Sequence, residues 1–184
     1  KLSTTTYSYT VISSPNTTIS FNPGATVCSG TNVNVNASGA VNYQFFVNGV
    51  SQGAPSTSSS ISSSSYANGS TFYVIGNTSG CFTTSPTITL TVNSAPTTLL
   101  SGSSTFCAGT NANFTASGAT NYQFQINGIP TGSFSTTPTY SSSTLSNGNV
   151  ITVIGESNGC YVNSQLVLTV NSVPNVQLFS NDAD

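Results

Sequence analysis

The sequence predicts an all-β protein made of tandem sandwich repeats, and three observations predict it. Apolar residues recur at every second position over short runs and never at helical spacing. Asn-Gly dipeptides separate these runs, and they favour the positive φ that tight reversals require. The cysteines fall in two pairs of identical internal spacing, so the sequence repeats itself.

Cys28 and Cys81 lie 53 residues apart, as do Cys107 and Cys160, and the second pair is displaced by 79 residues from the first. From Cys28 to Val50 the chain reads CSGTNVNVNASGAVNYQFFVNGV, and from Cys107 to Ile129 it reads CAGTNANFTASGATNYQFQINGI. Val74-Ile75-Gly76 matches Val153-Ile154-Gly155, and Thr91-Val92-Asn93-Ser94 matches Thr169-Val170-Asn171-Ser172, with one residue lost between Cys160 and Val170. Pro15, Pro96 and Pro174 mark the junctions. The expected domains are therefore 14–94 and 95–173, with 1–13 as the last strand of a preceding repeat and 174–184 as the start of a following one. On this reading the chain is an internal piece of a longer protein, with Pro96 and Pro174 in extended linkers and the repeats set end to end.

Within each repeat the strands follow in order. Val33, Val35 and Ala37 share one face, as do Ala112, Phe114 and Ala116. Tyr43, Phe45 and Val47 form the next alternation, matched by Tyr122, Phe124 and Ile126; Ile88, Leu90 and Val92 form the last, matched by Leu166, Leu168 and Val170. Phe72 to Ile75 and Ile151 to Ile154 are apolar at every position, so the pattern does not tell which side faces inward. Turns are expected at Asn48-Gly49, Asn68-Gly69, Asn127-Gly128, Asn147-Gly148 and Asn158-Gly159. About seven short strands in roughly 80 residues is the pattern of an immunoglobulin-like sandwich, with Phe45 and Phe124 as core anchors.

Charge excludes several function classes. Lys1, Glu156, Asp182 and Asp184 are the only charged residues, 2% of the chain, and the formal net charge is -2. Phosphate backbones and anionic lipid are captured by clustered Lys and Arg, so nucleic-acid and membrane-surface binding are not expected. No apolar run approaches the roughly 20 residues of a spanning helix, and no signal peptide precedes the first strand. Disorder is disfavoured because 36% of the residues are hydrophobic.

Chemistry-bearing groups are equally sparse. There is no His to activate a cysteine, and Glu156 stands alone beside the Asn158-Gly159 turn, which reads as a solvated turn residue and not a catalyst. No enzyme activity and no cofactor are expected. Calcium needs several oxygen ligands, and only Asp182 and Asp184 offer carboxylates near a junction; they are weak metal candidates. A Lys-to-Asn isopeptide bond is excluded by the lack of an internal lysine. Sequons at Asn16, Asn36, Asn68, Asn77 and Asn113 read as coincidence in a chain so rich in Asn, Ser and Thr.

The succession C-x-G-T, alternating strand, A-S-G-A, Tyr-x-Phe, Ser/Thr-rich middle, apolar strand and G-C resembles the Ig-like and PKD-like repeats of large Bacteroidetes surface proteins, SprB-like gliding adhesins above all. Those repeats carry a segment similar to Asp182-Ala183-Asp184; the second repeat has Gly102-Ser103-Ser104 there, without acids. The resemblance implies type IX secretion, a cell-surface location and an adhesive or filamentous role. The expected function is that of spacer repeats, with neighbouring repeats of the same chain as partners. The rival readings are a carbohydrate-binding module that docks Phe46, Phe82, Phe134 or Tyr161 on surface polysaccharide, and a fibre module that self-associates through uncharged strand edges.

Topology also bears on how the cysteines pair. Cys28 precedes the second strand and Cys81 opens the last, so an immunoglobulin-like order sets them about one strand length apart, roughly 20 Å, against the roughly 7 Å that a disulfide tolerates between Cα atoms. The expected bridge therefore joins Cys28 to Cys160 between repeats, with Cys81 and Cys107 pairing with neighbouring repeats.

Overall fold

Each alternating run is a strand whose apolar side chains turn inward. The structure is a computed structural model and describes residues 4–176. The chain divides into two compact units, Lys1–Asn93 and Ser94–Asp184.

The first unit contains β1 (Thr18–Asn22), β2 (Thr26–Cys28), β3 (Val33–Ser38), β4 (Asn42–Val47), β5 (Val50–Ser51), β6 (Ser60–Ser63), β7 (Thr71–Thr78), β8 (Cys81–Thr84), β9 (Ile88–Thr89) and β10 (Thr91–Asn93). One sheet has the antiparallel order β1-β3-β6; the other has β5-β4-β7-β8, with β9 continuing along β7. The first strand is divided between them: β1 pairs with β3, whereas β2 pairs in parallel with β10. This exchange, with last-strand segments β8 and β9 beside β7 and β10 beside β2, is the arrangement of an immunoglobulin-like sandwich. The second unit repeats it with β11 (Leu99–Gly102), β12 (Thr105–Cys107), β13 (Ala112–Ser117), β14 (Asn121–Ile126), β15 (Ile129–Pro130), β16 (Thr139–Ser142), β17 (Val150–Ser157), β18 (Cys160–Val167) and β19 (Thr169–Asn171).

The inner faces hold the expected residues, Phe45 and Phe124 included. Phe72 and Val74 point inward and are fully buried, as are Ile151 and Val153. The two cores fill their volume differently. In the first, Val35 lies on β3 and Phe72 on β7, edge-on to Phe21 and Tyr66 with centroids 5.2 and 4.9 Å away. In the second the large residue has moved to the facing strand, since Phe114 replaces Val35 and Ile151 replaces Phe72. Exchange of bulk across facing positions keeps total volume nearly constant, which cores tolerate best.

The residue missing from the second repeat is an extra one in a bulge of the first. Ile75 pairs with Thr84 and Phe72 with Ile88, which sets residues 85–87 against two residues of β7. Ser85 is buried there; its N–H donates to the Val74 carbonyl at 2.9 Å, and its Oγ accepts from the Val74 N–H at 3.0 Å. Pro86, which has no N–H, sits where the ladder is interrupted. The register of β17 on β18 runs without a break.

The turns sort into two kinds. Asn48-Gly49, Asn127-Gly128 and Asn158-Gly159 have positive φ at both residues, and Ser79-Gly80 does the same without an Asn. Asn68 and Asn147 do not have positive φ; instead their Oδ1 atoms accept from the Val92 and Val170 N–H groups at 2.8 and 3.1 Å. The expectation that Pro96 occupies a linker is corrected: Pro15 and Pro96 are buried at the start of the repeat that follows them, while Pro174 is exposed.

Beside Pro15, Thr17 is buried and its Oγ1 lies 2.9 Å from Thr83 Oγ1, which donates to the Pro15 carbonyl at 2.6 Å. Its counterpart Thr98 is also buried, but its Oγ1 has no partner, because Val162 stands where the first repeat has Thr83. Val162→Thr is therefore expected to stabilise the second unit by about 1 kcal/mol, the net worth of one buried hydrogen bond. Chemical denaturation reads the gain directly, and a loss of stability would show that the hydroxyl does not reach Thr98.

Candidate functional site

In each unit the two cysteines sit at opposite poles. Cys28 ends β2 opposite Asn93, the last residue of the unit's last strand, and the Ser29 N–H donates to the Asn93 carbonyl at 2.9 Å. Cys81 opens the same last strand at the Ser79-Gly80 turn. Twelve residues of nearly extended chain separate Cys81 from Asn93, on the order of 35–40 Å at about 3.3 Å per residue. That is about twice the strand length expected from the sequence, because the last strand continues through β9 and β10. A bridge within the repeat is thus excluded by a wide margin. Cys107 lies opposite Asn171, and Cys160 opens β18 at the Asn158-Gly159 turn.

Their oxidation states differ. Cys28 and Cys160 are disulfide-bonded, and Cys160 is buried. Cys81 and Cys107 carry free thiols, the former half-buried and the latter exposed. The Cys81 thiol donates to the Ile12 carbonyl at 3.9 Å, a long contact characteristic of sulfur.

The aromatic candidates separate in the same way. Phe46 stacks on Tyr73 with centroids 4.6 Å apart and rings nearly parallel, so it is half-buried. Phe82 and Tyr161 are equivalent, outward-facing and 63% and 62% exposed. Tyr161 meets Phe134 edge-on at 5.7 Å. Ser135 bridges Tyr122, which places Phe134 in the row of Gln123 and Ile154, while Tyr161 lies in the adjacent row of that face, opposite Glu156, so the two rings meet on the outer face of the sheet. The first repeat has Pro55 where the second has Phe134. This pairing is invisible in the sequence, because it joins neighbouring rows across two intervening strands. A cavity of about 60 Å³ between Tyr43, Phe45, Gln52 and Ser60 is far below the several hundred Å³ of a small-molecule site.

Glu156 acts within its turn. Its Oε2 accepts from Asn121 Nδ2 at 2.7 Å and its Oε1 from the Gly159 N–H at 2.8 Å. These bonds to Asn121 and Gly159 hold its carboxyl below the usual range. A depressed folded-state pKa contributes stability that is present above the unfolded value and is lost as pH falls through the folded value. Stability is therefore expected to stay flat from neutral pH down to the ordinary glutamate range and to decline only below it. Denaturation at a series of pH values checks this, with Glu156→Gln removing that group's share of the decline.

Asp182 and Asp184 lie outside the described residues. Of the sequon asparagines, Asn68 and Asn77 use their side chains as turn acceptors, Asn77 from the Gly80 N–H at 3.0 Å.

No family model matches the chain, and no curated protein matches it. Solved structures give distant likenesses. Murine CEACAM1b is 8% identical over 84% of this chain and 100% of that one, with a TM-score of 0.43. The three N-terminal domains of the highly immunogenic outer capsid protein (Hoc) of bacteriophage RB49 are 11% identical over 84% of this chain, with a TM-score of 0.40. That match spans 59% of the Hoc chain.

Proposed function

We propose that the two units are spacer repeats of an extended cell-surface adhesin or filament, without catalytic activity, stapled to each other by a Cys28–Cys160 disulfide. The observation that carries this reading is the split in oxidation state. The cysteine at the C-terminal pole of the first unit and the one at the N-terminal pole of the second are oxidised, while their repeat equivalents are free. Persistent disulfides belong to oxidising compartments, which supports an extracellular location. The likeness of the repeat to gliding adhesins favours type IX secretion and a motility-associated surface. In such an array the staple limits bending between small domains, and the uncharged hydroxyl and amide surface keeps the spacer indifferent to ionic partners.

Non-reducing peptide mapping combined with small-angle scattering tests the proposal. The expected result is a Cys28–Cys160 linked peptide and a radius of gyration well above the roughly 16 Å of one globule of this length. A Cys28–Cys81 peptide, or a compact particle, overturns it. The exposed Tyr161 beside Phe134 supports a second reading as a carbohydrate-binding module, which a glycan array decides: reproducible binding abolished by Phe82→Ala with Tyr161→Ala would replace the pure spacer.

A further inference from the structure

Three segments of the chain share one pattern: Thr10-Val11-Ile12-Ser13-Ser14-Pro15, Thr91-Val92-Asn93-Ser94-Ala95-Pro96 and Thr169-Val170-Asn171-Ser172-Val173-Pro174. The second and third each carry a parallel Thr-x-Cys strand. Thr26-Val27-Cys28 lies on Thr91–Asn93, and Thr105-Phe106-Cys107 lies on Thr169–Asn171, with the cysteine opposite the asparagine in both cases. The first hydrogen bond is also the same, from the Thr91 N–H to the Ala25 carbonyl at 2.8 Å and from the Thr169 N–H to the Ser104 carbonyl at 2.7 Å. Residues 10–12 have no ladder partner among the described residues. Val11 is 92% exposed, whereas Val92 and Val170 are half-buried.

The Cys81 thiol touches the carbonyl of Ile12, the position that corresponds to Asn93. A Thr-x-Cys strand laid on residues 10–12 in the register of the other two would set its cysteine opposite Ile12 and hence beside Cys81. The repeat equivalents of both cysteines, Cys160 and Cys28, are oxidised. We propose that residues 10–12 and Cys81 form an acceptor for a Thr-x-Cys β-strand of another repeat of this type, held by parallel strand addition and sealed by a disulfide. The two thiols lose two protons and two electrons to a low-molecular-weight disulfide such as oxidised glutathione, which leaves as two glutathione thiols. The main-chain ladder supplies affinity, and the cysteine makes the capture permanent. This inference rests on the stapled-repeat reading and extends it to the neighbour on the other side.

The intact chain in a glutathione redox buffer provides the test. The probe is a peptide with the sequence of residues 24–30, and the control is a scrambled peptide that keeps its cysteine. Mass spectrometry then counts adducts at Cys81 and Cys107. The expected result is about tenfold more adduct at Cys81 with the native order than with the scrambled one, and no preference at Cys107. Thr10→Pro removes the N–H that corresponds to Thr91's and is expected to abolish the preference. Equal trapping of the two peptides at Cys81, or an undiminished preference in Thr10→Pro, overturns the proposal. The same digest reports the Cys28–Cys160 link, so failure of the stapled-repeat reading is seen separately.

Discussion

Gly39→Ala and Gly118→Ala are each expected to destabilise their unit by about 2–5 kcal/mol. Two penalties combine. Both glycines are in the left-handed region, at φ +88° and +84°, which costs an L-residue about 1–2 kcal/mol. A Cβ would also overlap the backbone carbonyl oxygen of Asn16 at Gly39 and of Thr97 at Gly118. Main chain cannot swing aside as a side chain does, so the segment leading into β1 or β11 would have to lift from the sandwich, at a further cost of about 1–3 kcal/mol as in overpacking. This segment carries the buried Pro15 or Pro96. Denaturation of each variant against the parent measures the loss, and a change below about 1 kcal/mol would mean that the segment is not clamped there.

Phe72→Ala is expected to cost the first unit about 4 kcal/mol, within the range for a buried aromatic truncated to alanine. The ring is fully buried and makes edge contacts with Phe21 and Tyr66, so its removal strips two further rings of their partner. A sandwich of about 80 residues has little stability in reserve. Because the two cores share no residue, the damage is expected to stay in one unit: calorimetry should show one transition lost or shifted far down and the other in place. A single transition that shifts as a whole would show that the units unfold together.

The strands legible in the sequence are those whose two faces differ. Val33–Ala37 alternates against Asn and Tyr122–Ile126 against Gln, and solvent on one side makes the period visible. On β7 the outer face carries Tyr73 and Ile75, with Phe46 stacked on the former, so the contrast vanished and the inward side could not be read. The division of the first strand between β1 and β2 is not legible either, since neither Thr18–Asn22 nor Thr26–Cys28 is long enough to set a clear period. The polar placement of the cysteines followed from strand order alone, yet their separation did not, because the continuation of the last strand past Pro86 leaves no periodic trace. Thr98 could have been suspected: Val162 breaks the match to Thr83 in an otherwise closely repeated strand.

The parallel pairing of β2 with β10, and of β12 with β19, has a meaning under load. When a unit is drawn out by its two ends, these strands slide past each other along their length, so the hydrogen bonds between them are strained together and must fail together. An antiparallel hairpin pulled from its open end would give way one bond at a time. Each unit is thus joined like a lapped seam, and tension along the chain meets its strongest direction.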